Sequence, residues 1–290
     1  MHKFNGWDIL IYAVLTLLFL VCVFPFYYVI IVSIADPIDL MNKSLYIIPY
    51  SIDFNAYLLL FDEGRMISSM QISIFVTIVG TLISITMITM AGYGLSKKDA
   101  PLRQFFLVMV LITLFFGGQL IPYYVLIRSL GLINSIWVLI LPMTVNSFYL
   151  IIMKNYFLGI PVSLEESARM DGANDIRILF QILVPISKPI IASISLFIAV
   201  GYWNEWWHAM LFINDTRNYP LQMMLREILS NISSSAISPI GQMMAARHRN
   251  MNPLTVRMAA IMVTTIPILL VYPFIQKYFA KGIMIGSLKE

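Results

Sequence analysis

Cysteine and histidine are scarce in this sequence, and their scarcity limits the chemistry that the chain can carry out. The single thiol, Cys22, cannot form an intramolecular disulfide, and a metal site built from several thiolates is disfavoured. His2, His208 and His248 lie far apart, and none belongs to a metal-binding or nucleophile motif. We therefore predict no metal site and no catalytic residues.

Charged residues are also scarce, at 12% of the chain against 59% hydrophobic residues, and the mean hydropathy is +0.82. A soluble domain of 290 residues could not bury so much apolar surface in one core, so the surplus must face lipid. The net charge is only +4, and no RNA-binding or helix-turn-helix signature accompanies it. We expect membrane lipid and no nucleic acid among the partners.

Long runs without charge predict six transmembrane helices. A helix rises about 1.5 Å per residue and the hydrocarbon layer is about 30 Å thick, so one span takes about 20 apolar residues. The predicted spans are approximately 9–34, 70–95, 104–127, 133–153, 189–213 and 258–277. The expected fold is all-α and integral to the membrane, with residues 1–290 as a single transmembrane domain.

Basic residues near the predicted helix ends indicate the orientation, because short cytoplasmic loops are enriched in lysine and arginine. The loop after the second span carries Lys97, Lys98 and Arg103, and the C-terminal tail carries Lys277, Lys281 and Lys289. Both ends of the chain are therefore predicted to be cytoplasmic. Residues 214–257 would be an extracellular loop, although this segment is basic, because long loops follow the rule poorly.

A charged, amphipathic stretch between the fourth and fifth spans is the most informative part of the sequence. Ser163 and Glu166 have the spacing of a capping box, which predicts a helix start. Gly172 suits a helix end in the left-handed conformation, and Asp175 is a candidate cap for a second helix that runs to Pro185. We predict a helix, a sharp turn and a second helix on the inner face of the membrane.

The first predicted helix has features of a docking surface. Ser167 and Ala168 are small, so a partner could approach the backbone closely, while Glu165, Glu166 and Asp171 offer charge-assisted hydrogen bonds. An ordinary amphipathic helix at the membrane interface is an equally good interpretation on physical grounds alone.

The spacing of this stretch resembles a known family. Glu166-Ser167-Ala168, three residues, Gly172, nine residues and Ile182-Leu183-Val184-Pro185 are similar to the "EAA" loop of permease subunits in binding-protein-dependent ABC importers. The family pattern has Ala and Leu where this chain has Ser167 and Val184. The resemblance implies a type I importer permease whose loop, here 156–188, docks onto a separate ATPase subunit. The implied docking residues are Glu165, Glu166, Ser167, Ala168, Asp171, Gly172 and Pro185.

Two further stretches resemble the carbohydrate-uptake branch of that family, the second permease of maltose-type and oligosaccharide systems. They are 169–173 and 281–289, and the likeness extends over nearly the whole chain. It implies a homologous second permease, two ATP-binding subunits and an extracellular or periplasmic sugar-binding protein, in a bacterial cytoplasmic membrane. The chain has no Gly-X-X-X-X-Gly-Lys-Ser/Thr phosphate loop, so we expect ATP and Mg on the partner subunits.

The end of the fifth span holds the candidate substrate pathway. Trp203, Trp206 and Trp207 have a spacing that would place them on one helical face, beside Asn204 and Glu205. Indole faces and nearby hydrogen-bonding groups suit a sugar ring, whereas the alternative is an aromatic belt at the membrane boundary. A carboxylate near a membrane segment usually faces a wet cavity or a partner. Trp203, Asn204, Glu205 and Trp206 are therefore the predicted pathway residues.

The segment 219–222 also resembles the carbohydrate branch, in which this outer loop meets the solute-binding protein, and it implies contacts through Tyr219, Leu221 and Gln222. Two other functions remain open. The docking motif is shared among importer classes, so the cargo could be an amino acid, a peptide or an anion. An intramembrane enzyme is a more remote alternative, because it would need a His, Asp or Ser constellation within the spans.

Overall fold

The computed structural model describes residues 6–41, 46–62, 64–235 and 252–287. This part of the chain is helical apart from loops and one isolated antiparallel bridge between Ala35 and Ile52. It divides into two compact units, one within 1–67 and 224–269 and the other within 68–223 and 270–290.

The first unit begins with three helices, and it also takes in the start of the last described helix. They are α1 Gly6–Ser33, α2 Pro37–Met41 and α3 Asn55–Asp62. Apolar side chains of α1 are exposed on every side from residue 9 to residue 27, as expected for a helix that lies in lipid. Its C-terminal end is held by the hydroxyl of Tyr57, which donates to Ser33 Oγ at 2.8 Å.

The second unit contains most of the remaining helices and the larger apolar core. In chain order the helices after α3 are α4 Arg65–Ser96, α5 Arg103–Phe115, α6 Leu120–Ser129, α7 Ser147–Leu158, α8 Val162–Met170, α9 Asp175–Arg177, α10 Val184–Ile186, α11 Lys188–Trp203, α12 Trp207–Phe212, α13 Leu221–Ser235 and α14 Pro253–Ser287. Short 3-10 helices occupy Ile136–Leu139, Leu141–Met143 and Thr216–Asn218, and a π-helix occupies Ile178–Leu183.

Tyr202 of α11 lies at the centre of this core. Its hydroxyl is 2.8 Å from Ser84 Oγ and donates to the carbonyl oxygen of Ile140 at 3.0 Å. Its ring lies against Gly80 of α4, where an added Cβ would be only 2.7 Å from the ring carbon Cζ. The close approach of α4 and α11 therefore requires a residue without a side chain at position 80.

Three of the six predicted spans are continuous helices of sufficient length. The long apolar helices are Trp7–Ser33, Arg65–Ser96 and Pro253–Val271, and two pairs bent by 44° and 85° would raise the number to five. The other three predicted spans are not single straight helices in the structure. The span 104–127 is interrupted at 116–119, which contains two glycines; 133–153 begins with 3-10 turns around Pro142; and 189–213 stops at Trp203.

The contact between Gly80 and Tyr202 leads to a stability prediction. Gly80→Ala forces a methyl group into the Tyr202 ring, so we expect the free energy of unfolding to fall by about 1–3 kcal/mol. Gly94→Ala is the matched control, because a Cβ on this α4 glycine meets no atom within 4 Å. Thermal unfolding of the purified permease complex measures both variants, and equal midpoints would contradict the packing argument.

Candidate functional site: a charged helical hairpin

The charged stretch folds as a hairpin of two helical limbs, residues 161–187, within the second unit. The first limb, α8, begins at Val162 after Pro161, whose carbonyl oxygen accepts from the Leu164 N–H at 3.2 Å. Ser163 lies inside the helix, so the predicted capping box was wrong. Pro161 fixes φ near the helical value, and the helix starts two residues earlier than it would with Ser163 as its cap.

The turn after α8 confirms the prediction for Gly172. Its φ is +80°, a left-handed conformation that other residues adopt at a cost. The Gly172 N–H donates to the Arg169 carbonyl oxygen at 3.0 Å, and the Ala173 N–H donates to the Ala168 carbonyl oxygen at 2.9 Å. These two bonds form a Schellman motif, which ends the helix and reverses the chain.

The second limb begins with a cap on Asn174 instead of Asp175. The side-chain oxygen of Asn174 accepts from the Arg177 N–H at 2.9 Å, while Asp175 is the first helical residue. The limb continues through the π-helix and α10, which contains Pro185, and then bends by 85° into α11. The hairpin is thus joined directly to a long apolar helix.

Contacts to the C-terminal end of α4 hold both limbs in place. Lys97, which follows α4, forms an ion pair with Glu165 of the first limb, and its Nζ lies 4.3 Å from the Tyr93 ring centroid. The Tyr93 hydroxyl donates to Asp175 Oδ1 at 3.4 Å, and Arg169 Nη2 lies 2.5 Å from the same oxygen. Both limbs therefore contact the C-terminal end of α4.

Burial lowers the pKa of the Lys97 ammonium, the charge of Arg169 adds to this effect, and Asp175 opposes it. The ion pair with Glu165 favours the charged form of Lys97. Because the Glu165 carboxylate faces Lys97 of the same chain, the structure assigns it an intramolecular contact.

The hairpin has both buried and exposed residues among those predicted to dock. Ala168 is buried and belongs to the apolar core together with Ile178 and Leu179, so it faces inward. The exposed members of the predicted docking set are Glu166, Ser167, Asp171, Gly172 and Pro185.

Two exposed apolar side chains at the hairpin turn were missed by the sequence analysis. Met170 is 89% exposed and Ile176 is 69% exposed, one on each limb. Both are apolar residues within a charged segment, and this property could have identified them. The family motif does not contain these two positions, so its spacing gave no indication of them. The exposed surface thus combines carboxylates with projecting apolar groups.

The predicted aromatic face of the fifth span was wrong. Helix α11 ends at Trp203, and α12 begins at Trp207, so the three tryptophans do not share one helix. Trp203 is buried, Asn204 is exposed, and the Trp206 and Trp207 rings meet edge to face with centroids 5.6 Å apart.

Glu205 lies in this break and is only 6% exposed. Its Oε1 accepts from the His208 backbone N–H at 2.6 Å and lies 3.0 Å from His208 Nδ1. His208 Nε2 is 2.9 Å from the Tyr123 hydroxyl of α6. The carboxylate therefore caps α12 and joins the break to a neighbouring helix.

The segment predicted to meet a binding protein is only partly exposed. Leu221 is buried, and its N–H donates to Ser73 Oγ at 2.7 Å. Tyr219 is partly buried, whereas Gln222 donates through Nε2 to Asn204 Oδ1 at 3.4 Å. Among the described residues, no group of three or more His, Cys, Asp or Glu side chains could hold a metal ion.

Comparisons with known proteins identify the family of the chain. Residues 102–285 match the family of binding-protein-dependent transport system inner membrane components. The chain belongs to this family, and it is a transmembrane permease of the ABC transporter class.

Individual relatives include two proteins of Bacillus subtilis (strain 168). The chain is 45% identical to the polygalacturonan/rhamnogalacturonan transport system permease protein YtcP, over 97% of this chain and 98% of that protein. It is 41% identical to protein LplC, over 93% and 90% of the two chains. A crystal structure of a bacterial ABC transporter involved in the import of the acidic polysaccharide alginate is similar with a TM-score of 0.86 and 30% identity, covering 96% of this chain and all of that chain.

The left-handed turn predicts a difference between two substitutions at Gly172. Gly172→Val places a β-branched residue at φ +80°, which costs about 1–2 kcal/mol or more and should speed hydrogen exchange of the Ala173 amide about tenfold. Gly172→Asn should change this rate far less, because asparagine tolerates the left-handed region. Hydrogen exchange on the assembled transporter measures both, and equal rates would count against the strain argument.

The tie between the hairpin and α4 predicts energetic coupling of Lys97 with Glu165. A double-mutant cycle of Lys97→Met and Glu165→Gln should give an interaction energy of about 0.5–3 kcal/mol, because the two charges are in contact and partly buried. The observable is the rate of trypsin cleavage after Arg177 in the permease subunits purified without the ATPase. Lys98→Met is the control, since Lys98 is exposed, and additive effects for Lys97 and Glu165 would refute the coupling.

Proposed function

We propose that this chain is one of two permease subunits in an ATP-driven bacterial importer for oligosaccharides. The family match supports the permease assignment, and the 45% identical relative is named for polygalacturonan and rhamnogalacturonan transport. The similar crystal structure belongs to an importer of alginate, another acidic polysaccharide. Fragments of acidic polysaccharides are therefore the cargo that we would test first.

We propose a six-span topology with both ends of the chain in the cytoplasm. The three continuous helices, the bent pair Ile136–Met143 and Ser147–Leu158, the interrupted α5–α6 pair, and α11 followed by α12 would supply six crossings. The basic residues that follow α4 favour the cytoplasmic side for that end of the helix. Because the hairpin contacts Lys97 at the same end, it would lie on the cytoplasmic face as well.

The exposed surface of the hairpin is the observation that carries the docking proposal. Met170 and Ile176 project from a charged segment, and such apolar groups are buried favourably when a partner covers them. The neighbouring Glu166 and Asp171 carboxylates can accept charge-assisted hydrogen bonds from that partner. We assign this surface to one of two separate ATP-binding subunits, which would bind ATP and Mg.

The proposed coupling follows from the contacts of the hairpin. Closure of the ATPase subunits would displace the hairpin, and the ion pair between Lys97 and Glu165 would transmit this displacement to α4. The second limb continues through the 85° bend into α11, so the same displacement would reach a second long helix. The populations of the outward-open and inward-open conformations of the pathway would then depend on the state of the ATPase.

We propose separate roles for the residues around the break after α11. Asn204 and Trp206 are the members of the predicted pathway set with exposed surface, whereas Trp203 and Glu205 are buried and would position them. In the segment that follows, Tyr219 and Gln222 are candidates for contact with an extracellular sugar-binding protein. Leu221 is buried, so it would support this segment from inside and would not contact the binding protein itself.

Uptake by the reconstituted complex distinguishes sugars from the alternative cargoes. The complex would contain this chain, a homologous second permease, two ATPase subunits and the binding protein. Uptake of an amino acid, a peptide or an inorganic anion, without uptake of any saccharide, would assign the cargo to another class.

The docking proposal predicts the effect of a charge at the hairpin turn. Met170→Asp should reduce the ATPase activity of the complex at least about tenfold, because an aspartate must be desolvated where a methionine was buried by the partner. Leu102→Asp is the matched control, since Leu102 is 70% exposed and lies outside the hairpin. Co-purification of the ATPase with each variant is measured in parallel, and normal assembly and activity of Met170→Asp would exclude docking through this turn.

A further inference from the structure

A cavity of about 290 Å³ lies in the second unit, between the start of α7 and the C-terminal half of α11. Its lining includes no residue of the hairpin and none of Trp203, Trp206 and Trp207. Small-molecule sites typically have volumes of about 300–1,000 Å³, with apolar walls and a few polar groups. The residues that matter to its chemistry are Met143, Asn146, Tyr149, Phe197, Gly201 and Tyr202.

One wall of the cavity is a flat aromatic platform. The rings of Tyr149 and Phe197 are stacked, with centroids 6.3 Å apart and an interplanar angle of 15°. Phe197 is half exposed. Within the described part of the chain, the Tyr149 hydroxyl makes no hydrogen bond, so it can serve a ligand.

A second wall is formed by backbone that is not α-helical. The 3-10 helix Leu141–Met143 leads into a 44° bend before α7, and Asn146 Oδ1 accepts from the N–H groups of Phe148 and Tyr149 at 3.0 and 3.3 Å. The Asn146 amide retains its two N–H donors. In a membrane domain, irregular backbone is tolerated where it is buried in protein or lines a water-filled cavity. The cavity wall therefore belongs to the wet or protein-covered side of the unit.

We propose that this cavity binds one pyranose ring of the transported oligosaccharide. A pyranose presents an apolar face of C–H groups, which suits the Tyr149–Phe197 platform, and a rim of hydroxyl groups, which suits the Asn146 amide and the Tyr149 phenol. The inference rests on the proposed function, because it assumes that the cargo is a saccharide. It adds a sugar contact on α7 and α11 to the proposed pathway residues Asn204 and Trp206.

Gly201 makes the proposal testable without removal of any existing contact. A Cβ added at Gly201 would meet only Met143 Cε, at 4.0 Å, so a larger side chain can extend into the cavity. Gly201→Leu should fill the space that the sugar ring needs. Gly94→Leu is the matched control, because a Cβ there meets no atom within 4 Å and Gly94 lies outside the cavity.

The experiment measures uptake and ATP hydrolysis by the complete transporter in proteoliposomes, with saturating binding protein and radiolabelled trigalacturonic acid or maltotriose, both of which consist of pyranose rings. We expect Gly201→Leu to reduce the amount of sugar imported per ATP at least about tenfold, while ATPase activity stays within about twofold of wild type. Phe197→Leu and Tyr149→Phe should reduce the same ratio by about threefold or more. Gly94→Leu should change neither quantity.

Unchanged import per ATP in Gly201→Leu would overturn the proposal. If Gly201→Leu loses ATPase activity as well, the two wall variants decide the matter, and normal import in both refutes the site. If wild type imports neither saccharide, this inference fails together with the sugar half of the proposed function. The docking half is judged independently by the effect of Met170→Asp on ATPase activity.

Discussion

An unpaired backbone N–H or C=O group is too costly to leave in hydrocarbon, and this constraint governs where the chain can depart from helix. Helix α1, whose apolar side chains are exposed on every side, is unbroken. The helix interruptions before α7 and after α11 lie in the second unit, where other groups of the protein form hydrogen bonds with the backbone that they leave unpaired. Tyr202 donates to the Ile140 carbonyl at the 3-10 segment, and the Glu205 carboxylate accepts from the His208 N–H after α11.

The interruptions coincide with the places where function is assigned. The bend before α7 opens the cavity, and the bend at Ser187 joins the hairpin to α11. A straight helix would expose only side chains to its surroundings, whereas a broken helix brings caps, bends and pockets into contact with a ligand or partner. The helix breaks that need internal hydrogen bonds therefore also create the surfaces that an importer subunit needs for its ligand and its partners.

Sequence reasoning succeeded where a property is local to a few residues. The left-handed turn at Gly172 was predictable, because only the conformation of one residue and its neighbours decides it. The helix starts were assigned to nearby residues. The first limb starts after Pro161, which makes no side-chain cap, and the second limb is capped by Asn174, which caps as well as Asp175 and precedes it. The tryptophan spacing suggested one helical face, but no local pattern predicted that α11 ends at Trp203.

By itself, the sequence determined that the chain lies in a membrane and that the charged stretch, which resembles the loop of a permease family, turns at Gly172. Those properties follow from composition and from spacing along the chain. Only the tertiary structure decided that Glu165 pairs with Lys97, that Glu205 is buried as a cap, and that Tyr149 stacks on Phe197. The partners of these groups, or the helix break that buries them, come from packing between segments that are distant in sequence, which no local pattern records.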